Sequence, residues 1–116
     1  MKRISKNLVG VDQGSDVLFS DFEHDGDMWT GDGPRLHRKK VKFSETFHTP
    51  PVVQVSISMW DMDHNTNQRA DITAEKVTEK GFNLVFRTWG DSRIARIRAD
   101  WLAIGALKDD EEWELY

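Results

Sequence analysis

The residues best suited to chemistry lie between positions 59 and 69, in the stretch MWDMDHNTNQR. This stretch carries aspartate and asparagine side chains and ends at Arg69, whose planar guanidinium donates hydrogen bonds in a fixed fork. Carboxylate and amide oxygens accept hydrogen bonds, whereas the guanidinium and the amide nitrogens donate them. Together these groups suit a ligand that is rich in hydroxyl groups.

Two segments of alternating polarity flank this stretch and would position it. Residues 52–59 alternate apolar with polar, and residues 69–74 carry their small and apolar side chains at even positions. Because successive side chains of a strand point to opposite faces, Arg69 is expected on the face opposite Ile72. The stretch is therefore interpreted as a strand end, a polar loop and the start of the next strand.

The rest of the chain also predicts strands. Extended segments are expected at residues 8–11, 17–20, 35–43, 82–89 and 93–105, with a turn over residues 13–16 and a structured loop over residues 21–34. The last strand would turn five side chains inward, namely Ala95, Ile97, Ala99, Trp101 and Ala103. About six or seven short strands separated by turns favour an all-β fold, a single antiparallel β-sandwich.

The composition narrows the class of protein. A chain of 116 residues is about one domain, which we expect over residues 1–106, followed by an acidic tail over residues 107–116. The net charge of −4 argues against nucleic acid as a partner, and the lack of cysteine excludes a disulfide, a thiol nucleophile and a Cys-ligated zinc site. No apolar run has the length of a signal-peptide core or a membrane span, so neither classical secretion nor membrane insertion is expected.

No cofactor or metal site is predicted. Four side chains are spaced like the opening of a calcium loop, namely Asp61, Asp63, Asn65 and Asn67. Such a loop needs glycine at its sixth position and an acidic residue at its twelfth, where this chain has Thr66 and Ile72, so an EF-hand is excluded. An irregular calcium site remains a minor alternative, built from these oxygens or from those of Asp25, Asp27 and Asp32. The histidines show no paired metal-ligand spacing.

The basic run at residues 38–40 has two interpretations. Most simply it is the solvated face of an edge strand, since edge lysines block pairing between sheets. Phosphate binding is the minor alternative, because no glycine-rich phosphate loop and no interleaved aromatic residues accompany the run.

The order and spacing of many residues resemble those of one protein family. The matching residues are Phe43, Ser44, Glu45, Thr46, Phe47, His48, Thr49, Pro50, Pro51, Val52, Val53, Ser56, Ile57, Asp61, Asn67, Arg69, Gly81, Phe82, Thr88, Trp89 and Trp101. No single one is specific, but the combination is similar to the H-type lectin domain, found in the snail agglutinins and at the C-terminus of the slime-mould discoidins. The match covers roughly residues 4–106.

The resemblance implies a fold, an assembly and a ligand. The family fold is a six-stranded antiparallel β-sandwich that forms a homotrimer or a dimer of trimers, and its members bind galactose or N-acetylgalactosamine glycans without catalysis. The sugar lies in a shallow site between protomers, contacted by an Asp, an Arg and a Trp that correspond to Asp32, Arg69 and Trp89. A carboxylate accepts from vicinal hydroxyls, a guanidinium donates, and an indole packs on the C–H face of a pyranose.

Two departures from the family pattern concern the surroundings of this triad. Snail members carry His and Tyr where this chain has Gly90 and Ala95. The Gly whose backbone meets the N-acetyl group is displaced, with Thr30 at the aligned position and Gly31 beside it. The predicted carbohydrate site therefore includes Thr30, Gly31 and Gly90, and the trimmed surroundings leave room for a larger or branched glycan.

Other interpretations stay open on the sequence alone. Arg69 could pair with Asp61 or Asp63, Trp89 could pack in a subunit contact, and Asp32 could be a turn residue. Asp32 and Asp61 could form a glycosidase pair, but an open site without a desolvated acid makes an enzyme unexpected. The chain could also be a trimeric structural or adaptor module, such as a component of a phage-like fibre or particle, with a vestigial sugar site. The location is left unknown, with an extracellular or particle-associated site suggested by family analogy.

The outer face of the last strand carries Arg96, Arg98 and Asp100. If this face lies along a threefold axis, the arginines need charge partners from the neighbouring chain, and Asp100 is the nearest candidate. Otherwise the three residues form a solvated strand face.

Overall fold

The computed structural model describes residues 1–5 and 8–108 and contains six strands over that part of the chain. The strands are β1 (Val9–Ser20), β2 (Arg35–Lys42), β3 (Val52–Met62), β4 (Asp71–Glu75), β5 (Gly81–Thr88) and β6 (Ile94–Ala106). A 3-10 helical turn (Asp21–His24) and the single-turn helix α1 (Asp27–Thr30) lie between β1 and β2. Of the predicted acidic tail at residues 107–116, residues 109–116 lie outside the described residues.

The strands form two antiparallel sheets of three strands each. One sheet has the order β1-β6-β3 and the other the order β2-β5-β4. This architecture confirms the predicted all-β, six-stranded antiparallel sandwich. Within the described residues, no helix is long and apolar enough to cross a membrane.

The two sheets pack around an aromatic core. The Phe43 ring centroid lies 5.0 Å from that of Phe47, 5.8 Å from that of Phe82 and 5.9 Å from that of Trp101, and all four rings are buried. Such tilted and edge-to-face pairs are the favoured arrangements of aromatic rings. The five side chains predicted to point inward from β6 are all buried, namely Ala95, Ile97, Ala99, Trp101 and Ala103.

The turn predicted over residues 13–16 is wrong, because β1 runs without a break from Val9 to Ser20. Gly14 lies opposite Trp101 in the β1–β6 ladder, and a Cβ on Gly14 would come within 2.5 Å of the Trp101 indole nitrogen. This glycine therefore makes room for an indole ring rather than bending the chain.

The loop over residues 21–34 contains two short helical segments, Asp21–His24 and Asp27–Thr30. The Met28 amide donates to the Asp21 carboxylate at 2.9 Å, which ties the two turns together. The Phe22 and Trp29 rings meet edge to face at 5.0 Å, and the Arg93 guanidinium lies 4.5 Å from the Trp29 ring centroid. The loop is thus held to the start of β6.

Candidate functional site

The backbone of Arg69 is clamped between the two ends of the β5–β6 turn. The Thr88 hydroxyl donates to the Arg69 carbonyl at 2.5 Å, and the Arg69 amide donates to the Ser92 hydroxyl at 3.0 Å. Ser92 in turn donates to the Asn67 carbonyl at 2.7 Å and is fully buried. The sequence placed Arg69 at the start of this strand, but β4 begins at Asp71. These three hydrogen bonds, and not the pairing of strands, therefore fix the position of Arg69.

The Arg69 guanidinium is oriented by Asp91. Its Nη1 lies 2.8 Å from Asp91 Oδ1, and the Asn67 amide nitrogen donates to the same carboxylate at 3.1 Å. Hydrogen bonds from Asn67 hold the pKa of Asp91 below its ordinary value, so this carboxylate stays ionised opposite the guanidinium. The partners considered from sequence were wrong, because Asp61 pairs with Arg96 at 3.2 Å and Asp63 with Arg93 at 3.6 Å.

Arg35 anchors the segment that carries Asp32. Its guanidinium is largely hidden from solvent, since only 7% of the residue is exposed. It donates to five backbone carbonyls, those of Asp27, Met28, Gly33, Gly90 and Ser92, over 2.7 to 3.3 Å. One side chain therefore joins α1, the following loop and the β5–β6 turn, a role that the sequence did not predict.

Asp32 lies on this anchored loop beside Gly90. The Gly33 amide donates to the Gly90 carbonyl at 2.9 Å, and Gly90 has a left-handed φ of 68°. A Cβ at Gly90 would lie 3.1 Å from Arg69 Nη1. Asp32 is exposed and makes no hydrogen bond or ion pair with any residue in the described part of the chain. The Asp32 loop, Gly90 and Arg69 are thus brought together, with the Asp32 carboxylate facing solvent.

Thr30 and Gly31 close the single-turn helix at the start of the same loop. The Thr30 hydroxyl donates to the Gly26 carbonyl at 3.1 Å, and the Gly31 amide donates to the Asp27 carbonyl at 2.7 Å. A Cβ at Gly31 would overlap Asp27, so glycine is needed for the packing of this turn. Both residues therefore have local structural tasks, and exposed Thr30 also stays accessible at the surface.

Trp89 follows β5 and is 45% exposed. It borders an open concavity of about 510 Å³ on the outer face of the β2-β5-β4 sheet. The other lining residues are Pro34, Arg35, Leu36, Ala70, Asp71, Arg87 and Thr88. Four of the eight lining residues are apolar, one is acidic and two are basic, a mixture of apolar surface and polar groups that is typical of a ligand site. Neither Asp32 nor Arg69 lines this concavity.

The carboxylates of the described residues bear on the calcium and glycosidase alternatives. Within the described residues, no group of three or more histidine and carboxylate side chains is arranged to hold a metal ion. Asp32 and Asp61 are both exposed, and Asp61 is bonded to Arg96. Neither carboxyl is buried in an apolar pocket, the environment that supplies a general acid in the lysozyme type of glycosidase.

Comparison with known families identifies a domain in this chain. The model of the H-type lectin domain matches residues 38–104, more than half of the chain. That segment includes Arg69, Trp89 and the β5–β6 turn, whereas Asp32 lies just before it.

Two kinds of curated relatives are similar to this chain. A protein described as ATP synthase subunits region ORF 7 from Fuscovulum blasticum is 63% identical over 107 residues, covering 92% of this chain and 93% of its own length. A discoidin-1 chain from Dictyostelium discoideum is 37% identical over 75 residues, which is 64% of this chain but 30% of the discoidin.

The fold resembles a solved structure of recombinant discoidin II from Dictyostelium discoideum, with a TM-score of 0.74 at 25% identity. The superposition covers 90% of this chain and 40% of the discoidin. The chain thus spans less than half the length of the discoidins that it resembles.

Proposed function

The chain belongs to the H-type lectin family and is a lectin module, and we propose that it binds galactose or N-acetylgalactosamine glycans through Asp32, Arg69 and Trp89. The observation that carries this proposal is the juxtaposition of an unpartnered, exposed carboxylate with a pre-oriented guanidinium. Arg69 is held by Asp91, and the Asp32 loop is held against Gly90. The Arg69 guanidinium and the backbone of the Asp32 loop are therefore held in place before a ligand binds, which lowers the ordering cost of binding.

The chemistry of the three side chains matches a pyranose. The Asp32 carboxylate would accept from two hydroxyls, and the Arg69 nitrogens not used by Asp91 would donate to ring substituents. The exposed Trp89 indole would cover the apolar face of the sugar. Because Gly90 offers no side chain between Arg69 and the loop, we propose that the pocket also accepts branched or larger glycans.

Trimer formation through the outer face of the β1-β6-β3 sheet is part of the proposal. Val11, Ile104 and Val52 stand side by side across its three strands, and the two valines are 64% and 50% exposed. Such an aligned apolar row on a sheet surface favours contact with another protein surface. Linking three weak sites would raise the affinity for a glycan-coated surface by about 10² or more where the geometry allows.

A polar network on the same face bears on the arginine hypothesis. Asp100 accepts hydrogen bonds from Ser15 at 2.5 Å and from Ser58 at 2.9 Å, while Arg98 donates to Ser58 at 3.0 Å. These hydrogen bonds from the serines hold the pKa of Asp100 below its ordinary value. Arg96 has Asp61 as an internal partner, so Arg98 is the arginine for which we propose a charge partner on the neighbouring protomer.

The function is tested on a glycan array with the wild type, Trp89→Ala and the control Trp60→Ala. Trp60 is 60% exposed on β3 and does not line the concavity that Trp89 borders, so its removal deletes an equally large indole while leaving the surface that is proposed to cover the sugar intact. We expect galactose-type binding by the wild type and by Trp60→Ala, and loss in Trp89→Ala. Full binding by Trp89→Ala would contradict the site. Absence of glycan binding by the wild type would contradict the assigned ligand and leave an adaptor module.

The assembly is tested by light scattering on the wild type, Arg98→Ala and the control Arg38→Ala. Arg38 is an exposed arginine on β2, in the other sheet. We expect a trimeric mass for the wild type and for Arg38→Ala, and a lower mass for Arg98→Ala at low protein concentration. The same mass for all three proteins would remove Arg98 from the interface.

A further inference from the structure

Four lysines surround a second concavity at the far end of the β2-β5-β4 sheet from Trp89. We call the group Lys40, Lys42, Lys76 and Lys80 the lysine cradle. The concavity has a volume of about 440 Å³, and its remaining lining includes Thr78, Gly81 and Asn83. Lys40 and Lys42 project from β2, whereas Lys76 and Lys80 flank the turn between β4 and β5.

The four ammonium groups have no carboxylate partner among the described residues. No ion pair or hydrogen bond of the described chain uses their side chains, whereas the neighbouring Lys39 pairs with Asp16 at 3.0 Å. Two acidic residues lie close by in register or sequence: Glu75, opposite Asn83, is already bonded to Arg87 at 2.7 Å, and Glu79, next to Lys80 in the turn, makes no side-chain ion pair with a described residue. Within the described residues, the four ammonium groups are therefore free to contact an anionic ligand, although the whole chain carries a net charge of −4.

The cradle is built by the backbone. Gly81 pairs with Lys42 in the β2–β5 ladder, and a Cβ on Gly81 would overlap the Val41 carbonyl, so only glycine fits at this point of the concavity wall. The Thr78 hydroxyl accepts from the amides of Lys80 and Gly81, which fixes the turn. Lys76 has a left-handed φ of 52°, a conformation that glycine or asparagine adopts with less strain.

Asn83 adds a neutral group at the centre of the floor. It lies opposite Lys40 in the ladder, is half-buried, and its amide has no hydrogen-bond partner within the described residues. An amide both donates and accepts, so it can serve the hydroxyl groups of a sugar. Phe82, the aromatic residue in the lining, is buried, so no exposed aromatic ring lines the cradle. Single-stranded nucleic acids bind by stacking bases on exposed rings, so the cradle suits a saccharide better.

From these observations we propose that the lysine cradle binds a polyanionic saccharide, a sugar chain that bears sulfate, phosphate or carboxylate groups. The lysines contact the charged groups, and Asn83 contacts a hydroxyl. The lysine cradle lies on the β2-β5-β4 sheet, whereas the trimer contact is proposed on the β1-β6-β3 sheet. Both surfaces can therefore be occupied at once. This site is separate from the Asp32, Arg69 and Trp89 site and does not depend on the ligand assigned there.

The test measures binding of a fluorescent, heparin-derived sulfated hexasaccharide by polarisation, at about 50 mM and about 200 mM salt. A hyaluronan hexasaccharide, which carries carboxylates alone, identifies the type of anion. A single-stranded oligothymidylate of equal charge represents nucleic acid. The proteins are the wild type, Lys42→Gln/Lys80→Gln, the control Lys2→Gln/Arg3→Gln with the same change in charge, and Trp89→Ala.

We expect salt-sensitive binding of at least one of the two saccharides by the wild type, the control and Trp89→Ala. The cradle double variant should bind that saccharide at least tenfold more weakly, because two of four contacting charges are removed. Equal binding by the double variant, equal loss in the charge-matched control, or loss in Trp89→Ala would each overturn the proposal. So would binding of neither saccharide, or binding of oligothymidylate as tightly as the better saccharide.

Discussion

Replacing Arg35 by methionine should both destabilise the fold and loosen the Asp32 loop. Methionine fills a similar volume but donates no hydrogen bond. All five of the bonds made by the Arg35 guanidinium end on backbone carbonyls, and the shortest, to Ser92, measures 2.7 Å. The substitution would leave these acceptors facing an apolar chain.

The expected loss of unfolding free energy depends on which of these carbonyls have another hydrogen-bond donor. The carbonyls of Asp27 and Gly90 also accept from the amides of Gly31 and Gly33, so they keep a donor. The bonds to Met28 and Ser92 are the buried ones. Losing the donor to a buried acceptor costs about 1 to 3 kcal/mol, so two such losses amount to about 2 to 6 kcal/mol of unfolding free energy.

The assay is urea unfolding of Arg35→Met beside Arg38→Met, followed by glycan titration of both folded proteins. Arg38 is exposed on the same strand, and its substitution should change the unfolding free energy by less than about 0.5 kcal/mol. Glycan affinity should fall only in Arg35→Met, because Asp32 loses its fixed position. A loss of less than about 1 kcal/mol in Arg35→Met would refute the anchoring argument.

Neighbouring side chains give three further expectations. Asp91→Ala should release the Arg69 guanidinium and lower glycan affinity about tenfold in a titration, and unchanged affinity would contradict its orienting role. Burial lowers the pKa of His37 from 6.5, so the unfolded chain takes up the proton first and stability should fall as pH drops below 6.5. His37→Gln should reduce the difference between the urea midpoints measured at pH 7 and pH 5.5. An unchanged difference would mean that another group causes the pH dependence of stability. Gly14→Ala should lower the unfolding free energy by about 1 to 3 kcal/mol, because the added Cβ would press on Trp101. An unchanged thermal midpoint would contradict this expectation.

Most of the fold could be predicted because the strands alternate between a buried and an exposed face. In β6 the inward residues alternate with exposed Arg96, Arg98 and Asp100, so period-2 patterning was sufficient. The failure at Gly14 has a physical reason. Glycine is equally suited to a turn and to a close approach of another residue, and the residue that decides, Trp101, lies on a strand far along the chain.

The supports of the candidate site could not be predicted in the same way, because most of their partners are backbone atoms. Arg35 binds carbonyls only, and Ser92 joins Asn67 to the Arg69 amide, contacts that no pattern of side chains encodes. One signal was present: counting back by twos from the inward Val41 places Arg35 on the buried face of β2. A charged residue at such a position indicates a structural anchor.

The trimer contact and the sugar site are proposed on different sheets. A variant that dissociates the trimer can therefore show whether one protomer contains a complete sugar site. Arg69 and the Asp32 loop are positioned by contacts inside one chain. If Trp89 of the same chain completes the site, a protomer dissociated by Arg98→Ala should bind a monovalent sugar as tightly as the wild type does. If the neighbouring chain supplies the indole, dissociation should abolish monovalent binding together with avidity, since the sugar would lose the surface that covers its apolar face.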